Sequence, residues 1–122
     1  MATHLIRGGS AEQLAAAHLA TRNARILSRN YRCKLGELDL VILDGPVLAF
    51  VEIRQRSRAD YGGAAASVTQ GKRRRLIRAA RCYLQENPAL RHRRMRFDVV
   101  AVHGIPDAAC RLEWIKGAFD SE

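Results

Sequence analysis

The spacing of hydrophobic and polar positions changes period several times along the chain, and each change marks an element. Ala11, Leu14, Ala15, His18 and Leu19 recur at the spacing of one helix face. Ser10 and Gln13 stand at capping-box spacing before that run, and Asn23, which tolerates a left-handed conformation, closes it. The period then shortens. Arg25–Tyr31 reads as a short strand. Gly36–Arg56 (GELDLVILDGPVLAFVEIRQR) reads as two strands joined by Asp44-Gly45, a pair suited to the positive φ of a tight hairpin. Residues 57–71 are small, polar and Gly-rich, the composition of a mobile loop. Leu76, Ile77, Ala80, Tyr83 and Leu84 restore the helical pattern, with Ser67 or Thr69 as its cap and Pro88 as its stop. Phe97–Val102 and Arg111–Ile115 follow as strands, and residues 117–122 read as a tail.

This order is helix, three strands, helix, two strands. The three closely spaced strands should form an antiparallel meander. The second helix is long enough for a right-handed crossover that sets the third and fourth strands parallel. The expected fold class is α/β, a mixed sheet flanked by helices. At 122 residues the chain has material for one domain, residues 1–122 with a core from 8 to 119. No run reaches the roughly 18 apolar residues of a membrane span, and the opening MATHLIRGGS is too weakly apolar for a secretory signal. Cys33, Cys82 and Cys110 are odd in number and form no CxxC, which points to reduced thiols and a cytoplasmic protein.

Acidic residues inside the strand runs need a physical reason, because Asp and Glu are poor strand formers. Three lie in or beside those runs, Glu37, Asp39 and Glu52. Glu37 is expected to be a turn acid pairing with Arg56, with a fourth metal ligand as the alternative, which leaves Asp39 and Glu52. A two-residue loop at Asp44-Gly45 sets them diagonal on one face, and a four-residue loop sets them directly opposite. A three-residue loop would put them on opposite faces. With an even loop they can share one cation, and carboxylate oxygens suit Mg²⁺ or Mn²⁺. Such an ion activates water and neutralises charge on a scissile phosphate, and Arg54, on the same face as Glu52, would add electrostatic stabilisation. Glu12 borders the apolar stripe of the first helix, where spacing alone makes it a first-turn acid favoured by the helix dipole. Asp98 is expected to pair with a neighbouring arginine, and Trp114 to lie in the core.

Charge then narrows the partner. Twenty-one Lys and Arg oppose twelve Asp and Glu, for a net of +9, and eighteen of the basic residues are Arg. The arginine fork matches phosphate oxygens bidentately, so the bias favours a polyanion, and nucleic acid first. Arg56, Lys72, Arg73, Arg74, Arg75 and Arg78, continued by Arg93 and Arg94, are the expected phosphate contacts, forming one patch along the second helix.

The runs GELDLV, FVEIRQR, GKRRRLIRAARCYL and RFDVVAV resemble the YraN-like proteins of bacteria, over about residues 8–119. That family is similar in fold to the PD-(D/E)XK, or restriction-endonuclease-like, superfamily, which includes archaeal Holliday-junction resolvases. The resemblance implies a metal-dependent DNA endonuclease, with Asp39 as the acid of the second strand, Glu52 as the acid of the E-x-K motif and Glu12 as the helix-one acid. All three would be metal ligands. It also suggests a homodimer and a branched or damaged substrate. The chain departs from the pattern at Arg54, where the motif has lysine. Arginine keeps its charge and cannot act as a base, so Lys72 becomes a substitute. The alternatives are a nucleic-acid-binding module without cleavage and an adaptor whose basic face meets an acidic protein.

Overall fold

The structure is a computed structural model that describes residues 3–56, 63–104 and 110–120, with only the backbone path for residues 3–10. In chain order its elements are α1 (Thr3–Thr21), β1 (Arg25–Cys33), β2 (Gly36–Asp44), β3 (Val47–Arg56), α2 (Gln70–Glu86), β4 (Met95–Gly104) and β5 (Cys110–Phe119). The sheet order is β1-β2-β3-β4-β5, antiparallel throughout except that β3 and β4 are parallel. This is the mixed, helix-flanked sheet of the restriction-endonuclease-like class. Among the described residues no helix is long and apolar enough to cross a membrane.

One helix covers each face of the sheet. On one side Ala15, Ala16 and Leu19 of α1 pack against Leu40, Ile42, Ala49, Val51 and Val100. The alanines let the helix backbone approach the sheet closely. On the other side Leu76, Ala79, Ala80 and Tyr83 of α2 meet Val41, Leu48, Phe50, Phe97 and Val99. Phe97 links that core to β5, with ring centroids 5.5 Å from Phe50 and 5.1 Å from Phe119. Burial on both faces is why β3 and β4 read as near-continuous apolar runs.

Several boundaries differ from the sequence expectation, each for a local reason. Helix α1 begins at Thr3, so Ser10 lies inside it; Asn23 does take the left-handed conformation, at φ 68°. The β2–β3 turn is Gly45-Pro46, because Asp44 remains in the strand and pairs with Val47. Its carboxylate is held there by Arg96 at 2.8 Å and Lys116 at 3.0 Å. Thr69, and not Ser67, caps α2. Strand β5 continues through the expected tail, and Phe119 is buried at its end. The register between β4 and β5 slips between Phe97 and Val99, and the fully buried Asp98 stabilises that irregularity. It accepts from Arg96 Nε at 2.8 Å and Nη2 at 2.9 Å, from Trp114 Nε1 at 2.9 Å and from the Gly117 N–H at 3.0 Å. Asp98 is therefore structural, as its neighbouring arginine suggested. Of the Gly-rich stretch, residues 57–62 lie outside the described residues; Ala65–Ser67 form one 3₁₀ turn.

Candidate functional site

Strands β2 and β3 pair from Asp44↔Val47 as far as Leu40↔Val51, and the pairing stops there. Beyond it β2 continues against β1 to Gly36, and β3 continues against β4 to Arg56. One further step in the same register would set Asp39 directly opposite Glu52. Instead, Asp39 Oδ2 accepts the Ile53 N–H at 2.8 Å, so a side chain takes the place of a ladder carbonyl. The two strands part at this point, and the two carboxylates meet at the fork.

The fork is electrostatically loaded. Glu52 is only 5% exposed. Burial first, and then the charge of Asp39, pushes its carboxyl up from 4.5 to about 7, against the pull of Lys72 and Arg54. Lys72 Nζ and Arg54 Nη1 each stand 3.7 Å from Glu52 Oε2. Lys72 reaches the fork because it is the third residue of α2, and its N–H donates to the capping Thr69 Oγ1 at 3.2 Å. The Arg54 guanidinium is shared: its Nε donates to Ser67 Oγ at 3.1 Å and so ties the 3₁₀ turn to β3.

Glu12 lies on the other side of Asp39. It accepts from Asn30 Nδ2 at 2.9 Å, and Asn30 holds a left-handed φ of 52° in β1. Glu12, Asn30 and Asp39 line one hollow of about 270 Å³ on the α1 side, bounded by Ile53 and Gln55. Glu52 instead faces α2. Among the described residues no three His, Cys, Asp or Glu side chains are grouped to hold an ion. The expected trio is brought together as a pair, Asp39 and Glu52, with Glu12 engaged by Asn30. Asparagine inside a strand run was the available signal for that residue, being a poor strand former. Nothing in the spacing pointed to Ser67 as the anchor of Arg54.

The basic residues divide. Lys72, Arg73, Arg74 and Arg75 open α2, where the helix dipole is already positive and the first turn carries no acid of its own. Arg74, Arg75 and Arg78 are exposed. Arg73 turns inward, donating to Val68 O at 2.9 Å and Ala65 O at 3.2 Å with its guanidinium 5.1 Å from the Phe119 ring centre. Arg93 donates to Pro46 O at 3.3 Å, at the far end of β3 from Glu52, and the exposed Arg94 follows it. Five residue steps along β3 separate Val47 from Glu52, about 17 Å, and the exposed Arg78 and Arg81 of α2 lie between the two clusters in the chain. Arg56 ends β3 beside His103 of β4.

A family model described as uncharacterised protein family UPF0102 matches residues 11–102. The chain belongs to UPF0102. Among its relatives, a UPF0102 protein of Dechloromonas aromatica is 48% identical over 120 residues, covering 98% of this chain and 93% of that one. One from Pseudomonas fluorescens Pf-5 is 46% identical over 114 residues, 93% of each chain. One from Ectopseudomonas mendocina is 43% identical over 121 residues, covering 99% of this chain and all of the relative. The family is the YraN-like group that the strand and helix motifs indicated. The span matched to UPF0102 contains Glu12, Asp39, Glu52, Arg54 and Lys72, together with the whole of α2, and stops before β5.

Chemically, this UPF0102 site offers two carboxylates, one ammonium and one guanidinium around a single fork. Mg²⁺ ordinarily needs only one or two carboxylates, completing its shell with water and phosphate oxygens. The donor set of Asp39 and Glu52 fits such an ion.

Proposed function

We propose that this protein binds nucleic acid and hydrolyses phosphodiesters with a divalent cation held by Asp39 and Glu52. The observation that carries the reading is the meeting of these two carboxylates where β2 leaves β3, with the Lys72 ammonium 3.7 Å from Glu52 at the start of a basic helix. A divalent cation bound there supplies charge neutralisation at the phosphate and a more acidic water. Lys72 takes the place of the motif lysine, donating to a phosphate oxygen and keeping Glu52 oriented. Arg54 holds the 3₁₀ turn against β3 and adds positive potential, without serving as a base. Arg74, Arg75 and Arg78 bind flanking phosphates, beside a helix terminus that already favours anions.

The test is cleavage of end-labelled structured DNA and RNA by the full-length protein with Mg²⁺ or Mn²⁺. Cleavage should require the metal and fall at least about 100-fold in Asp39→Asn, Glu52→Gln and Lys72→Met. Binding without cleavage of any substrate would remove the hydrolytic part and leave the second reading, a nucleic-acid-binding module. The engagement of Arg54 by Ser67 favours that alternative, since the motif's own lysine position is then occupied by a structural cation. In either case affinity should fall steeply with salt, by a log–log slope of about −0.9 per duplex phosphate contact.

A further inference from the structure

The β1–β2 turn presents an aliphatic side chain where turn chemistry does not ask for one. Cys33 pairs with Gly36, so Lys34 and Leu35 are the two turn residues. Tight turns favour Gly, Asn, Asp, Pro or Ser, each for a conformational reason that neither residue here supplies. Leu35 is nevertheless 51% exposed, and with Met95 it is one of two exposed large hydrophobic side chains among the described residues. Its neighbours on the surface are cations. Arg32, Lys34, Leu35, Lys72 and Arg75 line a groove of about 460 Å³ between the turn and the start of α2. The acid lining that groove, Glu37, is 4.0 Å from Arg32. The groove leads to the fork, because the Lys72 that forms its wall also reaches Glu52.

The turn is also held in place. A Cβ on Gly36 would fall 2.7 Å from the Arg75 carbonyl oxygen, so only glycine lets the turn sit directly on the α2 backbone. Leu35 is thus carried on a short, anchored projection beside a cationic channel. About half of the Leu35 surface is left to water, and an apolar wedge flanked by cations is a combination that nucleic acids accommodate. The cations take phosphates, and the wedge enters between stacked bases.

We propose that Leu35 is a wedge inserted into the base stack of a nucleic acid whose phosphates follow the groove between the β1–β2 turn and α2. The inference rests on the nucleic-acid half of the function proposed above and is independent of cleavage. Its consequence is selectivity. Separating two stacked bases costs a few kcal/mol in an intact duplex and less where the stack is already interrupted. Duplexes carrying a nick or gap should therefore bind more tightly than continuous ones of the same length.

The experiment uses the full-length protein in EDTA with two DNA duplexes, one continuous and one with a single-nucleotide gap. Each carries 2-aminopurine, beside the gap or at the same position. Anisotropy reads affinity, and the brightening of 2-aminopurine reads unstacking. The expected result is at least about tenfold tighter binding to the gapped duplex, equivalent to about 1.4 kcal/mol, with brightening on binding. Leu35→Ala should abolish both the brightening and the preference while leaving affinity for the continuous duplex within about twofold, and Leu35→Met should retain them. Lys34→Ala and Arg75→Ala should weaken both duplexes alike. Tight binding without brightening, or brightening and preference that survive Leu35→Ala, overturns the wedge and leaves the nucleic-acid reading intact. No binding of either duplex at low salt overturns both and favours an acidic protein as the partner of this face.

Discussion

Glu52 is the residue whose replacement most directly tests the physics of the fork. Its side chain is almost fully buried, and burial with Asp39 beside it carries its carboxyl from 4.5 to about 7. At about 1.4 kcal/mol per pH unit, the charged form costs the folded protein on the order of 3 kcal/mol. The direction follows from proton uptake. Between pH 4.5 and about 7 the folded chain holds a proton that the unfolded chain has released. The contribution to stability is therefore complete below pH 4.5, declines through that window, and is gone above about 7. Glu52→Gln keeps the shape and removes the charge. The attraction of Lys72 and Arg54, both about one-third exposed, is already contained in the rise to about 7, which is net of their pull. Urea unfolding in EDTA at pH 4.5, 5.5, 6.5 and 8 is the assay. Parent and variant should be nearly equal at pH 4.5 and separate with rising pH, until the variant is about 2–3 kcal/mol more stable at pH 8 with an unchanged m-value. A pH-independent difference, or a variant less stable at pH 8, would refute the claim that the fork is held at a cost.

Other perturbations address the remaining parts of the argument. Mg²⁺ or Mn²⁺ at pH 8 should raise the melting temperature of the parent in proportion to RT ln(1 + [L]/Kd) and leave Asp39→Asn unmoved, read by calorimetry. Asp98→Asn, which unbalances a fully buried acceptor of four hydrogen bonds, should cost about 2–4 kcal/mol in urea unfolding without changing affinity for nucleic acid. Gly36→Ala should cost about 1–3 kcal/mol, because its Cβ meets the Arg75 backbone at 2.7 Å and the turn must lift off α2.

The architecture was legible because periodicity and connection length are local properties. The apolar runs of β3 and β4 and the stripe of α2 determined which segments pair, and α2 is long enough to make β3 and β4 parallel. The same locality explains the misses. Asp44 stays in β2 through Arg96 and Lys116, partners 52 and 72 positions away along the chain. Phe119 joins the sheet by stacking on Phe97, which the small residues before it gave no reason to expect. At the site, alternation along β3 and an even hairpin loop set Asp39 and Glu52 on one face, whereas Asp39 lines the hollow on the α1 side and Glu52 faces α2. Register arithmetic could not say that the strands part between them, since that depends on Asp39 taking the Ile53 N–H. Nor could it say that Lys72 approaches Glu52 from another element, which depends on where the Thr69 cap starts α2. The engagement of Glu12 by Asn30 is of the same kind.

The features that break local rules are not scattered. A carboxylate buried against a second carboxylate, an interrupted ladder, a left-handed Asn30 inside a strand and a cluster of cations at the wrong end of a helix dipole all lie at the end of the sheet where β2 leaves β3. An exposed leucine on a turn adjoins them. At the opposite end a comparably charged group, Asp44, Arg96, Asp98 and Lys116, is paired internally, with Trp114 and the Gly117 N–H completing Asp98. A chain selected only for folding would be expected to resolve both ends in the second manner, since each violation carries its own free-energy cost. Concentrating the costs at one fork, among oxygen donors and phosphate-matching cations, is the pattern of a site that is completed by something it binds. The metal-stabilisation and pH measurements on Glu52 test that inference without requiring any substrate to be known.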